Sequence, residues 1–322
     1  MTHGSGAGLR AVGRSLHRTL RPQSYDHGLT TWCRPPGQTA LMDPRLPQTT
    51  DAYLERIGAA RPARPDAAAL RELQLRHLTT VPFENLSIHL GEDIVLEEKL
   101  LLDKIVADRR GGFCYELNGA FAVLLRALGF RVTLLQARVH GKAGRLGIPY
   151  DHMALRVETD DGTGPWLADV GFGDHAEGPL ALGDRADQRD PRGTFRIAQA
   201  PAEGGADGTP CPYGDLDLLR DGVPEFRLDL RPRALADFRA GAWYHRTSPE
   251  SGFTRSPVCS RFTATGRITL KGHKLLTTVG TERHETPLGS DEEVLAAYRE
   301  HFGVRLDRLP PEGGVGVSAS NG

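Results

Sequence analysis

No run of apolar side chains in this 322-residue sequence approaches the ~18–20 residues needed to cross a bilayer. An apolar core followed by a secretory cleavage site is missing too. Charge of one sign is not in excess, because 40 Lys and Arg stand against 41 Asp and Glu, a formal net charge of -1. That balance gives neither the basic footprint of a nucleic-acid binder nor a cationic face for a membrane surface. Cysteine is scarce: Cys33, Cys114, Cys211 and Cys259 lie far apart in the chain. No CxxC pair, HExxH or clustered Cys/His spacing offers zinc a site, so no metal is expected. A disulfide framework belongs to small secreted chains, and this one is neither small nor visibly secreted. Free thiols in a reducing cytoplasm are the expectation. Neither a Walker-type phosphate loop nor an internal repeat is present.

What remains is enough chain to bury a substantial core, in one large domain or two to three smaller ones. Residues 1–41 are rich in Gly, Arg, Thr and Pro, with Asp26 the one acid. They are expected to be a disordered extension or to precede the true start at Met42. From there to residue 129 the pattern is helical. Thr50 or Asp51 is the expected cap of a first helix, with Tyr53, Leu54 and Ile57 on its inner face. Leu70, Leu73 and Leu78 form a second stripe, stopped by Pro82. Leu96, Leu100, Leu101, Ile105 and Val106 form a third, ended near Gly111. Leu117, Phe121, Leu124 and Leu128 then make 113–128 an amphipathic helix closed by Gly129.

Beyond Gly129 the period falls from 3.6 to about 2. RVTLLQARV, HMALRVET, GPWLADVG, FRLDL, RFTATGRITL and HKLLTTVG read as strands. The stretch 183–214, loaded with Gly, Pro, Asp and Ala, reads as a surface excursion or a disordered insertion. DEEVLAAYREHFGV reads as a last helix, capped by Ser290 with Glu293 in the capping-box position. A polar, Gly-rich tail follows.

The segment RRGGFCYELNGAF, residues 109–121, sets the functional question. Composition leaves Cys114 as a small core residue or a nucleophile. A helical cysteine usually packs as a small hydrophobe. Here Gly111-Gly112 permits a tight turn, and Cys114 falls in the first turn of the following helix. Free N–H groups there favour a thiolate, lower its pKa and can hold an oxyanion. A nucleophile needs a base, and the base an orienting group. His152, in YDHMALRV, shares a strand face with Ala154 and Arg156. Asp169, in PWLADVGFGD, is an acid in an apolar run and needs a partner. ETDDGTG between them reads as a hairpin turn, which makes His152 and Asp169 cross-strand or diagonal neighbours. A Cys-His-Asp triad can therefore form.

RRGGFCYELNGAF, VPFENLSIHL, YDHMALRV and DVGFGD together resemble the arylamine N-acetyltransferase family, from about Asp51 to about Val304. The resemblance implies that Cys114 is the nucleophile, His152 the base and Asp169 the acid. It implies an α+β fold with a papain-like or transglutaminase-like catalytic core. In that scheme a helical bundle over 42–129 bears the cysteine, and a β-barrel over 130–235 bears His and Asp. An α/β lid over 236–306 and a tail over 307–322 follow. Acetyl-CoA is the implied co-substrate, with Phe172 and Gly173 as candidate contacts, although simple turn chemistry also explains that loop. Phe83 is the implied aromatic-substrate contact, although a Phe after Pro also suits a core. Glu84, Asn85, Glu116 and Asn118 are expected to buttress the site. The implied activity is two-step acetyl transfer to an arylamine or arylhydrazine, in xenobiotic metabolism. Three rival readings are a macrolactam-forming amide synthase acting on a carrier-bound polyketide, a cysteine hydrolase and an inactive binding module.

Overall fold

In the computed structural model the described residues are 46–141, 144–201 and 214–311. The expectations for residues 1–41, for Cys33, for Cys211 and for the tail beyond 311 lie outside them. Helices come first: α1 (Leu46–Ile57), α2 (Ala67–Thr80), α3 (Leu86–Leu90), α4 (Glu98–Leu102), which runs on as a π-helical turn over Asp103–Ala107, and α5 (Cys114–Ala127). Asp66 caps α2, its carboxylate accepting the Ala69 N–H at 2.9 Å, and the helix ends at Thr80, ahead of Pro82. Two expectations need correction. α1 begins at Leu46, so Thr50 and Asp51 lie inside the helix and do not cap it. Leu100 is exposed, because consecutive helical positions point about 100° apart and Leu101 takes the inner one.

The first described sheet element is β1 (Phe83–Glu84), between α2 and α3. The strands that follow α5 are β2 (Arg131–Val139), β3 (His152–Glu158), β4 (Trp166–Ala168), β5 (Leu180–Ala181), β6 (Gln188–Asp190), β7 (Gly193–Gln199), β8 (Leu216–Arg220) and β9 (Val223–Arg233). They form one antiparallel sheet in the order β5-β4-β3-β2-β9-β8-β7-β6. Its two edges meet through one side chain: Gln188 donates to the Ala181 carbonyl at 3.0 Å and accepts the Ala181 N–H at 2.7 Å. The sheet is thus nearly closed, with Leu135, Ala154, Phe195, Ile197, Leu218 and Phe226 in its interior. On its outer face Met153, Leu155 and Val157 of β3 join the core of α1, α2 and α5. The alternation along β3 therefore splits between barrel and helices as period 2 requires. Within 183–214, read from its composition as loose, β6 and β7 are ordered strands. Phe195 and Ile197 point inward at alternate positions.

After α6 (Arg239–Thr247) come β10 (Val258–Thr263), β11 (Gly266–Lys271), β12 (Lys274–Val279), β13 (Glu282–Pro287) and α7 (Asp291–Phe302). These four strands and β1 make a second sheet, in the order β1-β10-β11-β12-β13. α7 starts at its expected cap, Ser290 accepting the Glu293 N–H. Val294, Ala297, Tyr298 and Phe302 then lie in one core with Cys259 and Leu270. β13 escaped the sequence reading because every one of its residues is exposed, leaving no apolar alternation to see. The two-residue β1 pairs Phe83 with Ser260 and Glu84 with Cys259, while Phe83 also bridges Gly112. The fold is α+β.

Candidate active site

Gly111 and Gly112 create the turn that delivers Cys114. A Cβ on Gly111 would lie 1.9 Å from the Pro82 carbonyl oxygen, and one on Gly112 would lie 2.7 Å from Glu116. Glu116, in the first turn of α5, accepts the Phe113 N–H at 3.2 Å and pairs with Lys104 at 2.6 Å. Arg110, two residues before Gly112, holds the buried Glu84 at 2.9 Å, and Glu84 accepts the Leu86 N–H at 2.7 Å. The Arg110 and Lys104 charges and the Leu86 N–H keep the Glu84 carboxyl low against the opposing effect of burial. The loop ahead of the cysteine is thus tied on both sides by buried ion pairs.

Cys114 is buried, at 4 % exposure. Burial pushes its thiol well above the ordinary value, and the Asp169 and Asp151 carboxylates add to the effect. The backbone N–H groups of Met153 and Tyr115 oppose it. This corrects the expectation of a thiol lowered by its place in the helix: desolvation outweighs the helix start.

Asp169 lies one residue past β4, where the strand gives way to a turn. The β3–β4 ladder pairs Leu155 with Ala168 and, continued three residues, sets His152 opposite Gly171. Asp169 is the diagonal neighbour, and its Oδ2 accepts from His152 Nε2 at 2.6 Å. Its Oδ1 accepts three N–H groups: Asn118 Nδ2 at 2.8 Å, Gly171 N at 2.8 Å and Phe172 N at 3.1 Å. Burial alone would raise this carboxyl, but His152 and its hydrogen bonds bring it below the usual range. Ionised Asp169 only accepts, which puts the neutral imidazole proton on Nε2 and leaves Nδ1 as the basic nitrogen.

Asn118, one helical turn after Cys114, links helix and sheet. It donates to the Met153 carbonyl at 2.6 Å and to Asp169, and it accepts the Val170 N–H at 2.9 Å. Gly171 closes the arrangement, since a Cβ there would fall 2.7 Å from Cys114 Cα. Among the described residues no hydrogen bond joins Cys114 Sγ to the imidazole. Gly171, Asn118 and the Met153 backbone tie the start of α5 to the strand that carries His152 and to the turn that carries Asp169. Phe172 is half-buried, edge-on to His152 with ring centroids 5.2 Å apart. A Cβ on Gly173 would stand 3.5 Å from the half-buried Phe83 ring, and Phe83 lies 6.0 Å from the ring of Phe253. All six expected site residues therefore converge on one region.

Several participants escaped the sequence reading. Phe226 of β9 packs against His152 at 5.3 Å between ring centroids. The Tyr115 hydroxyl donates to the Tyr150 carbonyl at 2.6 Å, fixing the approach to His152. His175 donates to Glu225 at 2.9 Å beside the Phe172 ring. Their signals are tertiary: a lone Phe in a strand has nothing local to mark it. The arrangement holds a buried thiol, a base with a fixed tautomer and an ionised acid, a set able to perform nucleophilic acyl transfer. No group of three or more His, Cys, Asp or Glu side chains suited to a metal occurs among the described residues.

A family model described as N-acetyltransferase matches residues 66–309. A chicken pineal gland arylamine N-acetyltransferase isozyme is 32% identical over 269 residues, covering 76% of this chain and 90% of the relative. The crystal structure of the Nocardia farcinica arylamine N-acetyltransferase superposes with a TM-score of 0.69 at 36% identity, over 80% of this chain and 89% of that one. The Mycobacterium marinum arylamine N-acetyltransferase, solved in complex with CoA, superposes at 0.67 with 27% identity, over 79% and 92%.

Proposed function

The chain belongs to the arylamine N-acetyltransferase family, and from that premise we propose that it carries acetyl groups from acetyl-CoA to arylamines or arylhydrazines through an acetyl-cysteine. The observation that carries the reading is the Asp169 carboxylate, whose three N–H partners at Oδ1 leave Oδ2 to fix the His152 tautomer. We read the helices that bear Cys114, the barrel that bears His152 and Asp169, and the terminal sheet with α7 as the bundle, barrel and lid of a papain-like core.

His152 Nδ1 takes the Cys114 proton as Sγ attacks the acetyl carbonyl. Because burial raises the thiol, the thiolate forms only together with the imidazolium, whose charge Asp169 stabilises. The C–S bond to CoA breaks, and CoA leaves with the proton held by His152. An amine then attacks the acetyl-cysteine, loses its proton to His152 and expels Sγ, which recovers that proton. Aromatic amines suit this step because they are free bases at neutral pH. An alkyl amine with a pKa near ~10.4 is unprotonated in roughly one molecule per thousand or fewer at pH 7. Phe83 and Phe253 offer the amine an aromatic wall, and Phe172 and Gly173 flank the donor.

Intact mass after mixing with acetyl-CoA alone tests the intermediate. One acetyl adduct is expected on the native protein and none on Cys114→Ser. An adduct that persists in the variant overturns the assignment.

A further inference from the structure

His245 of α6 is buried, at 6 % exposure, and is not one of the triad. Its ring nevertheless faces three parts of the site. The Phe253 ring stands edge-on to it, with centroids 5.1 Å apart. Tyr115, the residue after Cys114, lies 6.2 Å away on the same measure. His245 Nε2 is 2.9 Å from Oδ1 of Asp151, the residue before His152. Nδ1 is 3.1 Å from the hydroxyl of Ser251, itself buried.

Asp151 gives the histidine its purpose. Its side chain is 13 % exposed, and Oδ2 accepts the Val139 N–H at 3.1 Å. The Gly147 turn closes over that oxygen, since a Cβ on Gly147 would fall 1.9 Å from it. Asp169 has three N–H groups and His152 around its charge, whereas Asp151 has one N–H and His245. A largely buried carboxylate with so few donors needs a cation beside it. His245 Nε2 lies off the line of a hydrogen bond, so its attraction for Asp151 is one of charge and grows when the imidazole is protonated. Among the described residues the other ionisable groups facing the ring are Tyr115, whose hydroxyl burial pushes above its ordinary range, and Tyr244 at 5.4 Å on the same helix. Arg246 is paired with Asp93 at 2.7 Å.

Asp151 also bears on the nucleophile, because its charge opposes ionisation of Cys114. The Tyr115 hydroxyl, donating to the Tyr150 and Asp151 carbonyls at 2.6 and 3.1 Å, ties the start of α5 to this segment. Residues 151 and 152 are each half of a His–Asp pair, the acid of one adjoining the base of the other. We propose that His245 is a positioning residue for acyl transfer, which holds Asp151 in place and, when protonated, offsets the charge that Asp151 imposes on Cys114. The inference rests on the acetyl-transfer reading, in which a Cys114 that ionises more readily is acetylated faster.

The test follows alkylation of Cys114 by iodoacetamide, located by peptide mass, in mild acid and in mild alkali. It compares the native protein, His245→Gln, Asp151→Asn and the double variant. Glutamine can still donate to Asp151 but never becomes charged. In mild acid, where imidazoles carry charge, His245→Gln should slow alkylation by about threefold to tenfold, the weight of one nearby charge on a thiolate. The deficit should vanish in mild alkali, and it should be missing in the Asp151→Asn background, where there is no charge to offset. A slowing equal at both pH values, or one that persists in that background, marks His245 as packing alone and overturns the proposal. If His245→Gln does not fold, Asp151→Asn decides: it should alkylate faster than the native protein in mild alkali and approach it in mild acid. An equal ratio at both overturns the proposal. Iodoacetamide reads the thiol without acetyl-CoA, which separates the two readings. Alkylation as expected, with no CoA released from acetyl-CoA and an arylamine, keeps the role of His245 and removes the acetyl-transfer reading. Turnover with alkylation indifferent to His245 removes His245 alone.

Discussion

Replacing Asp169 by Asn removes one charge and leaves the shape, and the structure dictates which way the new amide turns. Three N–H donors converge on Oδ1, those of Asn118, Gly171 and Phe172. An NH2 group placed there would face three donors, so the amide oxygen must take that position. The NH2 then points at His152 Nε2, which in the native protein donates to Oδ2 at 2.6 Å. Nε2 has to accept, the imidazole proton moves to Nδ1, and the nitrogen meant for the thiol can no longer receive a proton. A base lost to the wrong tautomer costs about 10⁴-fold in turnover. Stability falls far less, because the Oδ1 bonds survive as neutral ones: about 1–2 kcal/mol. For a chain of this size that is a melting point lower by about 2–4 °C. Stopped-flow acetylation of Cys114 by acetyl-CoA, beside a thermal melt, reads both quantities. A folded Asp169→Asn protein acetylated within tenfold of the native rate refutes the tautomer argument.

Two further predictions concern packing and pH. Gly171→Ala puts a methyl 2.7 Å from Cys114 Cα and 3.0 Å from its carbonyl oxygen, backbone atoms that cannot step aside. A loss of about 1–3 kcal/mol by urea denaturation is expected, with alkylation of Cys114 by iodoacetamide altered too; an unperturbed variant would show that the turn does not rest on α5. His77 of α2 is buried between Tyr53 and Phe121 with both ring nitrogens unpartnered among the described residues, and burial lowers its pKa from 6.5 to about 3. Below the unfolded value the unfolded chain binds a proton that the native state excludes. The contribution is therefore complete above that pH and is lost on acidification, at up to about 1.4 kcal/mol per pH unit. Unfolding free energies followed from neutral pH to mild acid should show a steeper fall in the native protein than in His77→Leu, and equal slopes would remove His77 as the cause.

The helix–strand switch at Gly129 and the nucleophile helix were legible because each rests on local periodicity. Cys114, His152 and Asp169 stood out because each broke its local pattern or followed a special turn. The burial of Cys114 was not legible: a cysteine at a helix start gives no sign that Gly171 and Met153 will cover it. Nor were β6 and β7, where Gly193 and charged neighbours mask the inward Phe195 and Ile197.

The two residues of β1 set the order in which the site can be made. Phe83 and Glu84 pair with Ser260 and Cys259, and Phe83 also bridges the Gly112 loop beside the nucleophile. The helices can collapse early through local contacts, but this strand stays half-paired until β10 has been synthesised. On the ribosome the loop before Cys114 is therefore completed only after the barrel has emerged. A chain released early keeps its thiol on an unfinished loop.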